Sequence, residues 1–105
     1  MIISCTNCIY SVKYRNLGDG TATNLEIVDF VPAGTSYVPG SLRFGAAGSN
    51  YDSPANAVFT DAADGDNGKV IANTVYFTVP IINPDDGAPE SGADEGVVYF
   101  KITIN

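Results

Sequence analysis

Apolar and polar residues alternate with a period of two along most of the chain, the pattern of strands with one face buried and one wet. Tyr10, Val12 and Tyr14 alternate with Ser11, Lys13 and Arg15, which predicts a strand ending at Asn16. Leu17-Gly18-Asp19-Gly20 is turn chemistry, with glycines to supply positive φ and an aspartate to bond its own backbone. The next strand is predicted from about Thr23 to Asp29, with Leu25 and Ile27 facing in and Asn24, Glu26 and Val28 on the other face. Val31-Pro32-Ala33-Gly34 stops it, because proline cannot donate to a ladder. A third strand spans Thr35 to Val38, and Pro39-Gly40 breaks it before Leu42-Arg43-Phe44, so the two pieces form one bent edge segment.

Beyond Phe44 the pattern loosens. Residues 45–55 are rich in Gly, Ser, Asn and Ala and predict a surface loop. Ala57 to Thr60 is a short strand, residues 61–68 an acidic turn, and Lys69-Val70-Ile71 a strand stub. Thr74 to Val79 is a strong strand with Val75, Phe77 and Val79 on one face. Residues 80–95 form an acidic, proline-containing loop, expected to be a solvated flap. Gly96 to Ile104 closes the chain, with Val98, Phe100, Ile102 and Ile104 inward and Val97, Tyr99, Lys101 and Thr103 outward. No 3.6-residue period persists long enough for a helix. The expected fold is an all-β, immunoglobulin-like β-sandwich of about seven antiparallel strands. Its expected core is Val12, Tyr14, Leu25, Ile27, Phe77, Val98, Phe100 and Ile102.

Composition narrows the function. At 105 residues the chain can bury one core but not two. A net charge of −7 repels the phosphate backbone, so no nucleic acid is expected as partner. Only 16% of residues are charged, so the surface draws its polarity from Asn, Ser, Thr and Gly, a habit of secreted β-proteins. No apolar run has the length of a membrane span and no secretory signal is present. The chain therefore reads as a mature form, a fragment or one repeat of a longer one. Histidine is absent, which removes the commonest general base and transition-metal ligand, and the expectation is that the protein is not an enzyme. Tryptophan is absent too, which excludes an antibody-type core. No Asn-x-Ser/Thr triplet occurs.

At this point the residues resemble a known family. The run Tyr10 to Asn16 (YSVKYRN), Gly18 to Asn24 (GDGTATN), Ile27 to Asp29 (IVD) and Pro32 to Ser41 (PAGTSYVPGS) is similar to the DUF11 domain, a conserved repeat of prokaryotic surface proteins. The likeness continues through Thr60 to Asp66 (TDAADGD) and ends in the closing strand Val98 to Ile104 (VYFKITI). The resemblance implies an immunoglobulin-like sandwich, a location at the cell surface or outside the cell, and a role in surface layers, adhesins or filaments. It carries no catalytic residues. Members of the family open with a further strand and a Pro-Gly-Asp type turn. Here residues 1–8 precede the domain at residues 9–105, and the sandwich is expected to be short of its own first strand.

Four groups of residues are candidates for function. Cys5-Thr6-Asn7-Cys8 predicts a disulfide in an oxidising compartment. Residues three apart in a strand point to opposite faces, so an intramolecular bridge needs a turn at Thr6-Asn7, and an intersubunit bridge is the competing arrangement. Asp61, Asp64 and Asp66 offer three carboxylates on a glycine-containing loop, as a calcium ion would require, though not in EF-hand spacing; the competing reading is a solvated hairpin turn. Met1-Ile2-Ile3-Ser4 is apolar and precedes the first recognisable strand, so residues 1–8 are expected to act as an N-terminal extension or donor strand, the competing reading being that they fold back as the chain's own first strand. Donated to a neighbour head to tail, such a strand makes a fibre of copies of this chain. The alternative is an adhesin or ligand-binding module whose long loops recognise carbohydrate or protein. Tyr51, bordering the first of those loops, is the one tyrosine there that could offer a sugar platform.

Overall fold

A computed structural model of the chain describes residues 7–62, 66–88 and 92–104. The period-two segments become eight strands: β1 (Cys8–Arg15), β2 (Ala22–Phe30), β3 (Thr35–Tyr37), β4 (Arg43–Ala46), β5 (Ala57–Val58), β6 (Gly68–Ile71), β7 (Thr74–Ile82) and β8 (Glu95–Ile104). They form two antiparallel sheets packed as a sandwich. The larger has the order β1-β8-β4-β5, with β3 also paired to β8, and the smaller has the order β2-β7-β6. The bent segment expected around Pro39-Gly40 is real, and both its halves lie along β8: Tyr37 pairs with Ile102 and Arg43 with Tyr99. Gly40 makes the bend with a φ of 75°.

Inward side chains from β4, β7 and β8 and from the approach to β4 meet at the centre. Leu42, Val75, Phe77, Val98, Phe100 and Ile102 form one buried cluster, so the expected register of β7 and β8 holds. The expected burial of Val12, Tyr14, Leu25 and Ile27 holds only in part, because all four are half-buried. They sit on β1 and β2, which are the edge strands of their sheets. Tyr14 lies across Gly96, where any β-carbon would collide with its ring.

Several boundaries differ from the sequence reading. The first strand begins at Cys8, which pairs with Ile102, one residue before the expected start of the domain. Strand β7 runs on through Pro80 to Ile82 rather than ending at Val79. Proline is tolerated there because the residue facing it on β2, Asn24, leaves the ladder with a φ of 52°. Gly18 and Gly20 are not left-handed; Asn16 holds that turn instead. The β6–β7 hairpin closes through Ala72 and Asn73, both at positive φ (49° and 59°), which matches the right-handed twist of the strands it joins.

The largest departure is on β8. Val97 and Tyr99, expected to face solvent, are 3% and 5% exposed. The loop between β4 and β5 folds over that outer face and buries it. That loop was expected to be a free surface feature.

Candidate functional site

Tyr51 is the centre of the covering loop. Its ring meets that of Tyr99 edge-on at 5.8 Å, and its hydroxyl donates to the Ser41 carbonyl at 3.0 Å. Arg43 Cζ and Lys101 Nζ both lie over the same ring, 4.1 and 4.4 Å from its centroid. Tyr99 in turn donates to the Ser49 carbonyl at 2.6 Å, and Asn56 Nδ2 donates to the Tyr51 carbonyl at 2.8 Å. Tyr51 is therefore 5% exposed and spends its aromatic face on the protein's own cations. It offers no open platform for a sugar ring.

Burial pushes the Tyr51 phenol above its ordinary value, against a smaller downward pull from Arg43. A folded pKa raised above the unfolded value near 10 leaves its contribution intact below that pH and removes it as pH rises through the folded pKa. Stability is accordingly expected to fall above about pH 10. Thermal melts of Tyr51→Phe, which cannot ionise at that position, should show a shallower alkaline decline; equal declines in both proteins would contradict this.

The first acidic turn is stitched to the fold through its carboxylates. Asp61 accepts from the Tyr37 hydroxyl at 2.6 Å with one oxygen and from the Gly40 amide at 3.0 Å with the other. Burial and this contact together raise the Tyr37 phenol well above its usual range. Asp66 accepts from the Thr60 amide at 2.8 Å and from the Gly68 amide at 3.1 Å. Both aspartates thus anchor the loop that crosses from β5 in the larger sheet to β6 in the smaller one. Asp64, the third expected calcium ligand, lies outside the described residues.

Cys8 is disulfide-bonded, and Asn7 beside it takes a left-handed φ of 59°, which supplies a turn at this point. Cys5 and the apolar start Met1, Ile2, Ile3 and Ser4 lie outside the described residues.

The second acidic segment, expected to be a solvated flap, is instead tied into the end of the sandwich. The Asp85 amide donates to the Gly18 carbonyl at 2.9 Å, the Asn83 amide to Ala93 at 3.0 Å and the Asn16 amide to Asp94 at 2.8 Å. Asn16 Nδ2 adds bonds to the carbonyls of Gly20, Ile82 and Asn83. These bonds bring Asp85, Asp86 and Asp94 together, with one carboxylate oxygen from each lying within 4.8 Å of the others. Asp94 is 1% exposed. The Gly87 amide and the Arg15 guanidinium, 3.1 Å away, hold the Asp85 carboxyl below its usual range. Beside the segment lies a cleft of about 530 Å³ whose lining includes Tyr14, Phe44, Val79 and Ile81, with Glu95 its one charged residue among the described residues.

Sequence reasoning weighed Asp85 and its neighbours only as an acidic stretch between prolines. Their convergence depends on Asp94 arriving at the head of β8, which local pattern does not reveal. Compared with protein-family models, with curated proteins and with solved structures, the chain matches none.

Proposed function

We propose that this chain is a non-catalytic structural module of the cell surface, akin to DUF11 repeats, whose copies join head to tail into an extracellular fibre by strand exchange. The observation that carries the reading is the unfinished side of the sandwich. Among the described residues β1 pairs with β8 alone and β2 with β7 alone, so each presents an open edge. Consecutive in sequence, these two strands carry the inward residues that stay half-exposed: Val12, Leu25 and Ile27. Tyr10 packs at 5.4 Å on Phe100 yet is 36% exposed, while Phe100 is 1% exposed. Among the described residues the core is closed over β7 and β8 and only half covered on β1 and β2, as suits a sandwich that takes up one more strand.

Open edges invite strand addition, and apolar alternate residues on the incoming strand supply its affinity. Residues 1–7 are the natural donor. Met1, Ile2 and Ile3 provide the apolar side chains. Exchange of this kind does not close on itself, so it propagates.

Negative-stain microscopy of the full chain and of a variant lacking residues 1–7 tests the reading. The full chain is expected to form filaments. The shortened chain, which keeps all of β1, is expected to remain monomeric or to clump irregularly. Filaments from the shortened chain, or none from the full one, would refute strand donation.

A further inference from the structure

Asp94 is a buried carboxylate without enough partners. One oxygen, Oδ2, accepts from the Asp86 amide at 3.1 Å. No donor reaches the other, Oδ1, although it is shut off from solvent. Leaving an ionised oxygen buried and unpaired is strongly unfavourable, and native proteins avoid it unless something else satisfies the group. Nor is this a side chain free to swing out, because its backbone is fixed by the Asn16 amide.

The surroundings add negative charge rather than relieve it. Asp85 and Asp94 each bring a carboxylate oxygen within 4.8 Å of the other, a closeness that like charges hold most readily around a shared proton or a cation. The amides of Gly87 and Ala88 hold one oxygen each of Asp85 and Asp86, at 3.0 and 2.9 Å, and so orient both carboxylates. Gly92, at a φ of 79°, completes the notch. A β-carbon there would collide with Asp86 Oδ2 and stand 3.1 Å from Asp94 Oδ1, so the missing side chain leaves room in which these two oxygens converge. Arg15 faces Asp85 at 3.1 Å and Glu95 at 3.6 Å.

We infer that Asp85, Asp86 and Asp94 bind a hard divalent cation, calcium, at the end of the sandwich. Oxygen ligands set 2.3–2.6 Å from calcium lie up to about 5 Å apart across the ion, and the spread of 4.8 Å among these oxygens meets that limit. The donors are all oxygens. The chain has no histidine and Cys8 is held in a disulfide, so softer metals find no ligands of their preference here. Water completes the shell. Because Asp85 also holds Gly18 through its amide, the ion fastens the segment after β7 to the β1–β2 turn. The site differs from the Asp61 and Asp66 turn, whose carboxylates are already bonded to amides and hydroxyls.

Thermal melts of the full chain in calcium and in EDTA provide the test, with calcium content measured by mass spectrometry. Calcium at about a hundred times its dissociation constant should raise Tm by roughly 10–20 °C, and magnesium at the same concentration by less. The rise should vanish in Asp86→Asn and Asp94→Asn and persist in Asp61→Asn. In EDTA, Asp94→Asn should melt no lower than the parent, since the amide removes an uncompensated charge. Asp86 is exposed, so its variant reports on the site even where Asp94→Asn fails to fold. No calcium-dependent shift would overturn the inference, as would a shift that survives Asp86→Asn. A Tm indifferent to calcium that rises on acidification would assign the pair a shared proton instead, and would equally overturn it.

Discussion

Truncation of Phe100 to alanine is expected to remove roughly 3–5 kcal/mol of stability, enough to leave a domain of ordinary stability largely unfolded. The size follows from its position. Phe100 is 1% exposed and stands on β8, the strand that pairs with β1 on one side and with β3 and β4 on the other. Its ring packs on Tyr10 at 5.4 Å and Tyr37 at 6.3 Å. A strand held on both edges cannot move inward to fill the hole, so the cavity remains and its full cost is felt. Urea denaturation measures it, and Phe100→Leu should lose clearly less. A loss below about 1 kcal/mol for the alanine variant would mean that this side chain is not where the β1–β8 pairing puts it.

Asn16→Asp, nearly isosteric, is expected to cost roughly 2–4 kcal/mol and to be worse than Asn16→Ala. The amide nitrogen donates to the carbonyls of Gly20 at 2.8 Å, Asn83 at 3.1 Å and Ile82 at 3.4 Å, while its oxygen accepts from the Gly18 amide at 2.9 Å. One side chain thereby ties the β1–β2 turn to the end of β7. Alanine removes these bonds and lets water approach some of the freed carbonyls. Aspartate places a charged acceptor against three acceptors, which adds repulsion to the loss. Paired thermal melts decide the matter. An aspartate variant equal to the parent would mean that the oxygen, not the nitrogen, faces those carbonyls.

The two variants sample different depths of what could be read beforehand. Phe100 and its neighbours Val98 and Ile102 were legible because alternation along one strand is a local property, and burial of one face follows from it. Asn16 was legible only as the end of the first strand, although short polar side chains often satisfy backbone groups near them in sequence. Its bonds to Ile82 and Asn83 were not, since their sequence separation is 66 and 67 residues.

The sequence by itself determined the all-β class, the inward faces of β7 and β8, the bend at Gly40 and the absence of histidine. These rest on composition, period and turn chemistry, each of which acts over a few residues. Only the tertiary structure decided which faces stay wet and which carboxylates meet. Val97 and Tyr99 occupy outward positions of β8 yet are buried, because Tyr51 crosses from a loop far away in the chain to cover them. Val12 and Ile27 occupy inward positions yet stay half-exposed, because β1 and β2 happen to be edges. Asp94 follows a segment that reads as solvated, but the Asn16 and Asn83 contacts draw it inside and set it against Asp85 and Asp86. Burial and charge depend on what long-range packing brings overhead, and no local pattern carries that information.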